Sequence, residues 1–506
     1  MVETAKGSSR GRRRATAGLV VLFLVVSIVN TSLLVINEPP LDAVSETQYQ
    51  SLLLSVSTAI YFAENGVQLV HGLGIEPPVR FEDVAADDVG YPIGLSFATR
   101  LGAVTFSETT RTFVSQTWDL EESRVFMYET LRGEMHYLNR VLFAVAATLS
   151  SIGLLAVAWF HTVRRRVWSN GVGLATAILV VGHAAPHLLP RLFVFRLHVH
   201  GVIASLALLG LVSVLAFRYS LLSLGLHLST WLRIARATMT IAAGATFAAV
   251  ILIRRAEGLV WLVIALAVGI VYVIKAWKSG VSTKILVGRT AVVAFAFLAG
   301  IMVPAIAVDR AIETRETEVS NLTGETQPAL HPIYHATLIG IARSPRNSLG
   351  IASEPDVVEL VRSQTGITGD AFSAEYEAAS RRVFWDYVIM SPLNYAAVLI
   401  DNVDGTFDFA LSYAGVQVKP FGRVLLAGAI ALCLVVLTRV MLRRGGVFRF
   451  LAVTLWGYLL LEFLLAIATT SPATIGLATA ALLLGTCGLA VFLAGRIERL
   501  AGARVG

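Results

Sequence analysis

The stretch HPIYHATLIGIARSPRNSLGI, residues 331–351, gathers two histidines, two arginines and an asparagine within a markedly apolar chain. His331 and His335 lie four apart, a spacing open to metal ligation, to orientation of a phosphate, or to capping a helix that begins near Pro332, since proline suits a first helical turn. Arg343, Arg346 and Asn347 form the most polar point of the stretch, and Gly340 and Gly350 allow close backbone approach on either side of it. Arg191 and Arg196 offer permanent planar cations suited to phosphate, or equally to anchoring at lipid headgroups. His183 and His187 have i,i+4 spacing, with His198 and His200 close behind, but the 183–200 segment has no acid or cysteine. Hydrogen bonds to headgroups and water are therefore the reading there, no metal ligand is assigned, and a divalent metal has no support from this loop. Asp42 and Glu46, four apart, share one face if helical, and Asp87 and Asp88 are adjacent in an acidic run. The plainer reading is that these four are solvated loop acids.

Such residues need a scaffold, and the composition defines it. Hydrophobic residues make up 56% of the 506 positions, charged residues only 15%, and the mean hydropathy is +0.71, values outside the range of soluble chains. Apolar runs at 17–36, 141–160, 171–188, 201–217, 237–253, 258–274, 287–307, 422–440, 447–468 and 472–494 each have the roughly 20 residues a membrane span requires. The expected fold is an all-α polytopic membrane protein of about ten transmembrane helices. The amino-terminal run is too long for a signal-peptide core and reads as a retained anchor. Cys433 and Cys487 fall inside spans and read as small apolar residues.

Charge sorts by side. With the amino end in the cytoplasm, short cytoplasmic segments carry 22 of the 41 basic residues, while two long segments, 37–139 and 308–420, hold 30 of the 34 acidic ones. This is the positive-inside pattern, which places both termini in the cytoplasm and both long segments outside. The formal charge of +7 is thus a topology signal, and a nucleic-acid partner is excluded in favour of the lipid bilayer. Four units follow: 1–160, comprising the first span, the 37–139 loop and the second span; a transmembrane core, 161–307; an external domain, 308–420; and a three-span unit, 421–506. Both loops read as helical, with a helix lying at the membrane surface after Pro92, an amphipathic helix in EPDVVELVRSQTG and a break at Ser391–Pro392. Segment 308–330 is either a linker or an extension of the preceding span, 218–236 an interfacial helix or half-span, and Arg254 and Arg255 form a short external turn. Glu462 is the one acid inside an expected span and a functional candidate by default.

Around VHGLGIEPPVRFEDVAADDVGYPIGLSFATRLGAV the sequence resembles integral-membrane glycosyltransferases of the GT-C class, the matching residues being Gly72, Gly74, Gly90, Tyr91 and Pro92. The 331–351 stretch is similar to a segment of bacterial membrane glycosyltransferase-like proteins at His331, Pro332, Tyr334, His335, Gly340, Asn347, Gly350 and Ile351. Together the two matches cover about a fifth of the chain. The resemblance implies a bacterial plasma-membrane enzyme of GT-C-like fold. It would transfer a sugar, with inversion, from a polyprenyl-phosphate donor to a glycan, lipid or protein acceptor of the envelope at the outer face. Such a transfer needs a carboxylate to take the acceptor's proton, for which Asp42, Glu46, Asp87 and Asp88 are the catalytic candidates. It also needs fixed cations at the departing phosphate, for which Arg191, Arg196, Arg343 and Arg346 are the candidates, with His331, His335 and Asn347 beside them. The acid-free 183–200 loop departs from many members of the class, which carry an acidic residue or pair there. A polysaccharide polymerase or ligase using external arginines, and a transporter or scaffold without chemistry, are the alternatives.

Overall fold

The computed structural model describes chiefly residues 203–223, 230–323, 333–368, 374–413, 419–444, 446–469 and 473–503, together with scattered positions before 203. Every extended element among them is a helix: α1 Ile203–Ser223, α2 Thr230–Ile253, α3 Arg255–Lys278, α4 Thr283–Thr323, α5 Ile333–Ala342, α6 Glu354–Thr365, α7 Ala374–Met390, α8 Pro392–Tyr413, α9 Pro420–Arg444, α10 Gly446–Ala468 and α11 Ala473–Ala503. Seven of these are long and apolar enough to cross a membrane, namely α1, α2, α3, α4, α9, α10 and α11. They coincide with the last seven apolar runs of the sequence. The first three runs, 17–36, 141–160 and 171–188, fall largely or wholly outside the described residues.

The bundle is built around α1, the most enclosed span, which packs against α2, α3, α4 and α11. Leu206, Leu208, Leu211 and Val214 of α1 are buried in its core. By contrast Val271 on α3, Phe295 and Val303 on α4 and Val424 on α9 point outward. Apolar side chains on the outside are what lipid, rather than water, calls for as solvent. Where α2 crosses α4 the contact is made by glycines: a Cβ on Gly300 would stand 3.0 Å from Gly244 Cα and from the Ala245 nitrogen. Small residues let two backbones approach where no hydrophobic effect drives helices together.

Three connections settle points that the sequence leaves open. Segment 218–236 is no separate element over its described residues, because α1 runs on to Ser223 and α2 starts at Thr230. Segment 308–330 begins as a continuation of α4, which reaches Thr323. Arg254 alone separates α2 from α3, in an extended conformation (φ −149°, ψ 107°). Gly258 then fits beneath Ile251, 2.5 Å from where its Cβ would be.

Helices α5 to α8 form a second body with its own core, including Leu338, Ile341, Val357, Val361, Tyr376, Val383, Phe384 and Val398. The acidic amphipathic stretch forms α6 as expected. At its start Asp356 accepts the N–H groups of Ala352 (2.9 Å) and Ser353 (2.8 Å), satisfying donors that a helix end leaves open. At its finish Gly366 takes the left-handed conformation (φ 72°). Ser391–Pro392 bends α7 against α8 by 105°, since proline disfavours helix at the residue before it. This body sits at the C-terminal end of α10, which we term the capped end. Short connections then place the C-terminus of α2 and the N-termini of α3, α9 and α11 at the same end. The basic residues Arg233, Arg236, Lys275, Lys278, Lys284, Arg439, Arg443 and Arg444 gather at the other.

Among the described residues of the 37–139 loop, Leu95 and Phe106 are buried in the same core as α1, so two of the apolar side chains expected at a membrane surface pack against protein. A single hydrophobic face suits a lipid surface and a protein core equally well, and the sequence pattern alone does not separate them.

Candidate functional site

The described part of the 331–351 stretch, residues 333–351, lies along the seam between the capping body and the membrane helices. Helix α5 begins at Ile333, where the sequence leads one to expect a helix start, while the capping role offered for the histidines falls in part on His331, outside the described residues. His335 is fully buried, and its Nδ1 lies 2.8 Å from the Tyr376 hydroxyl on α7. It belongs to the interior of the body. Gly340 packs on α10, where a Cβ would come within 2.7 Å of the Thr469 carbonyl oxygen. No larger residue fits.

After α5 the chain turns through Arg343–Gly350, and α8 holds this turn by polar side chains. Ser344 donates to Asp401 Oδ2 (2.7 Å) and accepts the N–H of Arg346 (3.1 Å), and the Arg346 guanidinium stands 3.6 Å from Asp401 Oδ1. Asn402 donates both to the Gly340 carbonyl and to the Ile467 carbonyl of α10, each at 2.9 Å. Asn394 donates to Ser348 (2.8 Å). Asn347 turns its amide inward, donating to the carbonyls of Ser344 (2.9 Å) and Ile351 (3.1 Å). Arg346 stays 58% exposed while Asp401 is only 17% exposed, so a fixed carboxylate positions a cation that still faces the surroundings. Arg343, three residues earlier in the same turn, is exposed as well. Partial desolvation lowers its guanidinium from the ordinary value, which leaves it charged.

Chemically, this seam offers two guanidinium groups for a phosphate or carboxylate and one carboxylate able to accept a proton. Of the residues singled out in the sequence, His335, Arg343, Arg346 and Asn347 are here, the two arginines outward and the other two inward. Asp42, Glu46, Asp87, Asp88, Arg191, Arg196 and His331 lie outside the described residues. Among the described residues no group of three or more His, Cys, Asp or Glu side chains converges as a metal site would require. Compared with family models, curated proteins and solved structures, the chain matches none.

Sequence reasoning missed Asp401 and its neighbours on α8. The signal was there: Asn394, Val398, Asp401 and Asn402 recur at i, i+4, i+7 and i+8, the stripe of one helix face. It also missed that Glu462 has company. Glu257, read as lying just outside a span, opens the α3 span instead. Its carboxylate accepts hydrogen bonds from the Tyr458 hydroxyl of α10 and from Trp261 Nε1 (3.3 Å). Two acid–aromatic pairs four residues apart, Glu257 with Trp261 and Tyr458 with Glu462, were the legible trace of this contact.

Proposed function

We propose that the chain is a membrane-embedded, inverting glycosyltransferase of GT-C-like kind, moving a sugar from a polyprenyl phosphate to an envelope acceptor at its capped end. The observation that carries this reading is the Arg346–Asp401 pair, an exposed cation fixed by a carboxylate at the seam between the capping body and the bundle. A polyprenyl phosphate brings its charge to the lipid boundary, and among the described residues this seam, next to the apolar spans, carries the exposed cations Arg343 and Arg346, which supports the reading. In the reaction the acceptor oxygen attacks the anomeric carbon as the bond from that carbon to the phosphate oxygen breaks. Arg346 and Arg343 hold the charge that grows on the departing polyprenyl phosphate. The acceptor's proton passes to a carboxylate, with Asp401 the described candidate and Asp42, Glu46, Asp87 and Asp88 the candidates of the first loop. The gathering of basic residues at the opposite end supports a capped end outside the cytoplasm, in a bacterial plasma membrane, with both termini inside.

The test is transfer from polyprenyl-phosphate sugars by the full chain in lipid vesicles. Arg346→Ala is expected to lower transfer by about 100-fold or more and to cost little thermal stability, because the arginine is itself largely exposed and Asp401 keeps the hydrogen bond from Ser344. Unchanged transfer in this variant removes Arg346 from the site. A polymerase or ligase would use the same exposed arginines, and use of diphosphate-linked oligosaccharide in place of the monophosphate sugar identifies that alternative.

A further inference from the structure

Beneath the seam, α3, α10 and α11 enclose a second polar group. Glu462 and Tyr458 on α10 and Trp261 on α3 are fully buried, and Glu257 on α3 all but fully. Trp261 stacks on Tyr458, ring centroids 4.6 Å apart and planes 20° from parallel, and Gly210 of α1 leaves Trp261 its space. The two carboxyls are not equivalent. Glu257 Oε1 receives both aromatic donors, the setting of an anion, whereas no N–H or O–H donor reaches either oxygen of Glu462, whose carboxyl lies within hydrogen-bonding reach of Glu257 once one of the two carries a proton. Gly476 of α11 presses on Glu462, a Cβ there standing 2.5 Å from Oε2, so that side is closed. Arg254, 8% exposed, brings a guanidinium to the top of the cluster, and its Nη1 also lacks a partner. It acts on both acids electrostatically. Among the described residues, the groups facing Glu462 are thus Glu257 from α3, Arg254 from the joint between α2 and α3, Tyr458 from its own helix and an uncharged glycine from α11. Helices α8 and α9 meet α10 elsewhere, through Asn402 at Ile467 and Thr438 at Trp456.

Two carboxylates against one guanidinium leave an excess negative charge inside a membrane protein, which the low-dielectric interior penalises heavily. One proton cancels it, and it also supplies the donor that the Glu462 oxygens lack. We propose that Glu257 and Glu462 form an intramembrane proton-binding site, which holds one exchangeable proton between them on Glu462, opposite an ionised Glu257 balanced by Arg254. Taking up or giving up that proton changes only the charge of the pair, as the O–H bond of Glu462 forms or breaks. The site stands apart from the proposed transfer reaction, and its test uses no substrate.

Infrared spectroscopy of the full chain in lipid nanodiscs reads the proton directly, since a protonated buried carboxyl gives a carbonyl band distinct from carboxylate and amide bands. The expected result is such a band at neutral pH that shifts in D2O, disappears in Glu462→Gln and disappears in Glu257→Gln, where one acid is left facing one guanidinium. No band in the wild-type chain overturns the proposal. So does a band that survives Glu462→Gln, and one that survives Glu257→Gln shows a solitary neutral acid in place of a shared site. Should Glu462→Gln fail to fold by size-exclusion and thermal criteria, the wild-type chain and Glu257→Gln decide.

Discussion

At the scale of single residues, side chains that look alike in the sequence divide by the direction they face. His335 and Arg346 stand eleven positions apart in one polar stretch, yet the first is sealed in the capping body and the second is open. Tyr376→Phe removes the hydroxyl beside His335 Nδ1, and an unfolding curve should record a loss of about 1–3 kcal/mol, the cost of leaving a buried polar atom unmade. Asp356 gives a pH-dependent case. The N–H of Ala352, then the hydroxyl and N–H of Ser353, hold its carboxyl below the ordinary carboxylate value. A group depressed in the folded state contributes stability above its unfolded value and loses it as pH falls through the folded one. The protection factors of the amides over residues 354–365, exchange rates corrected for the intrinsic rate at each pH, should therefore fall on acidification below pH about 4, and Asp356→Asn should abolish that step. The chemistry available to the 331–351 stretch was legible from residue type. Which of its members face outward was not, because that depends on α8, some fifty residues further on.

At the scale of elements, the seven described spans were legible because twenty apolar residues admit few other structures. Their contacts were not, since lipid and neighbouring helices are equally apolar and no alternation marks the packed face. Glycines carry that information instead. Gly300→Ala, which brings a methyl group against α2, should cost about 1–3 kcal/mol, measured as a lower unfolding temperature in detergent. Gly288→Ala lies on the same helix with nothing within 4 Å of the new Cβ. It should be neutral or gain about 0.5–1 kcal/mol from the helical preference of alanine. An equal loss in both variants would mean that the α2–α4 crossing is not the reason for the glycine. The i,i+4 acid–aromatic pairs on α3 and α10 show a further limit: each was visible alone, and only antiparallel packing of two spans some two hundred residues apart joins them.

At the scale of the whole molecule, the capping body and the bundle have separate hydrophobic cores and are pinned by few polar contacts, of which Asn402 spans both sides. Asn402→Ala leaves the Gly340 and Ile467 carbonyls without this donor. Protease sensitivity and hydrogen exchange at 333–342 and 465–469 should rise together, while the cores keep their protection. Loss of protection throughout the bundle would instead mean that the two bodies fold as one unit. A further ion pair, 3.5 Å long, joins the exposed carboxylate of Asp404 on α8 to the mostly buried guanidinium of Arg423 on α9. Helix α4 adds something of another kind, for it continues from Ala307, the end of its span, to Thr323. Pro304 lies within it and withholds the amide that the Gly300 carbonyl would otherwise accept, so the rod is compliant just above its crossing with α2. A swing of about 10° at that point carries the far tip, about 28 Å away at 1.5 Å per residue, sideways by about 5 Å. Tilting is one way a spanning helix meets a bilayer of different thickness, and any such change in the lean of the α4 span would reach its far tip as a sideways displacement unless the joint at Pro304 absorbs it.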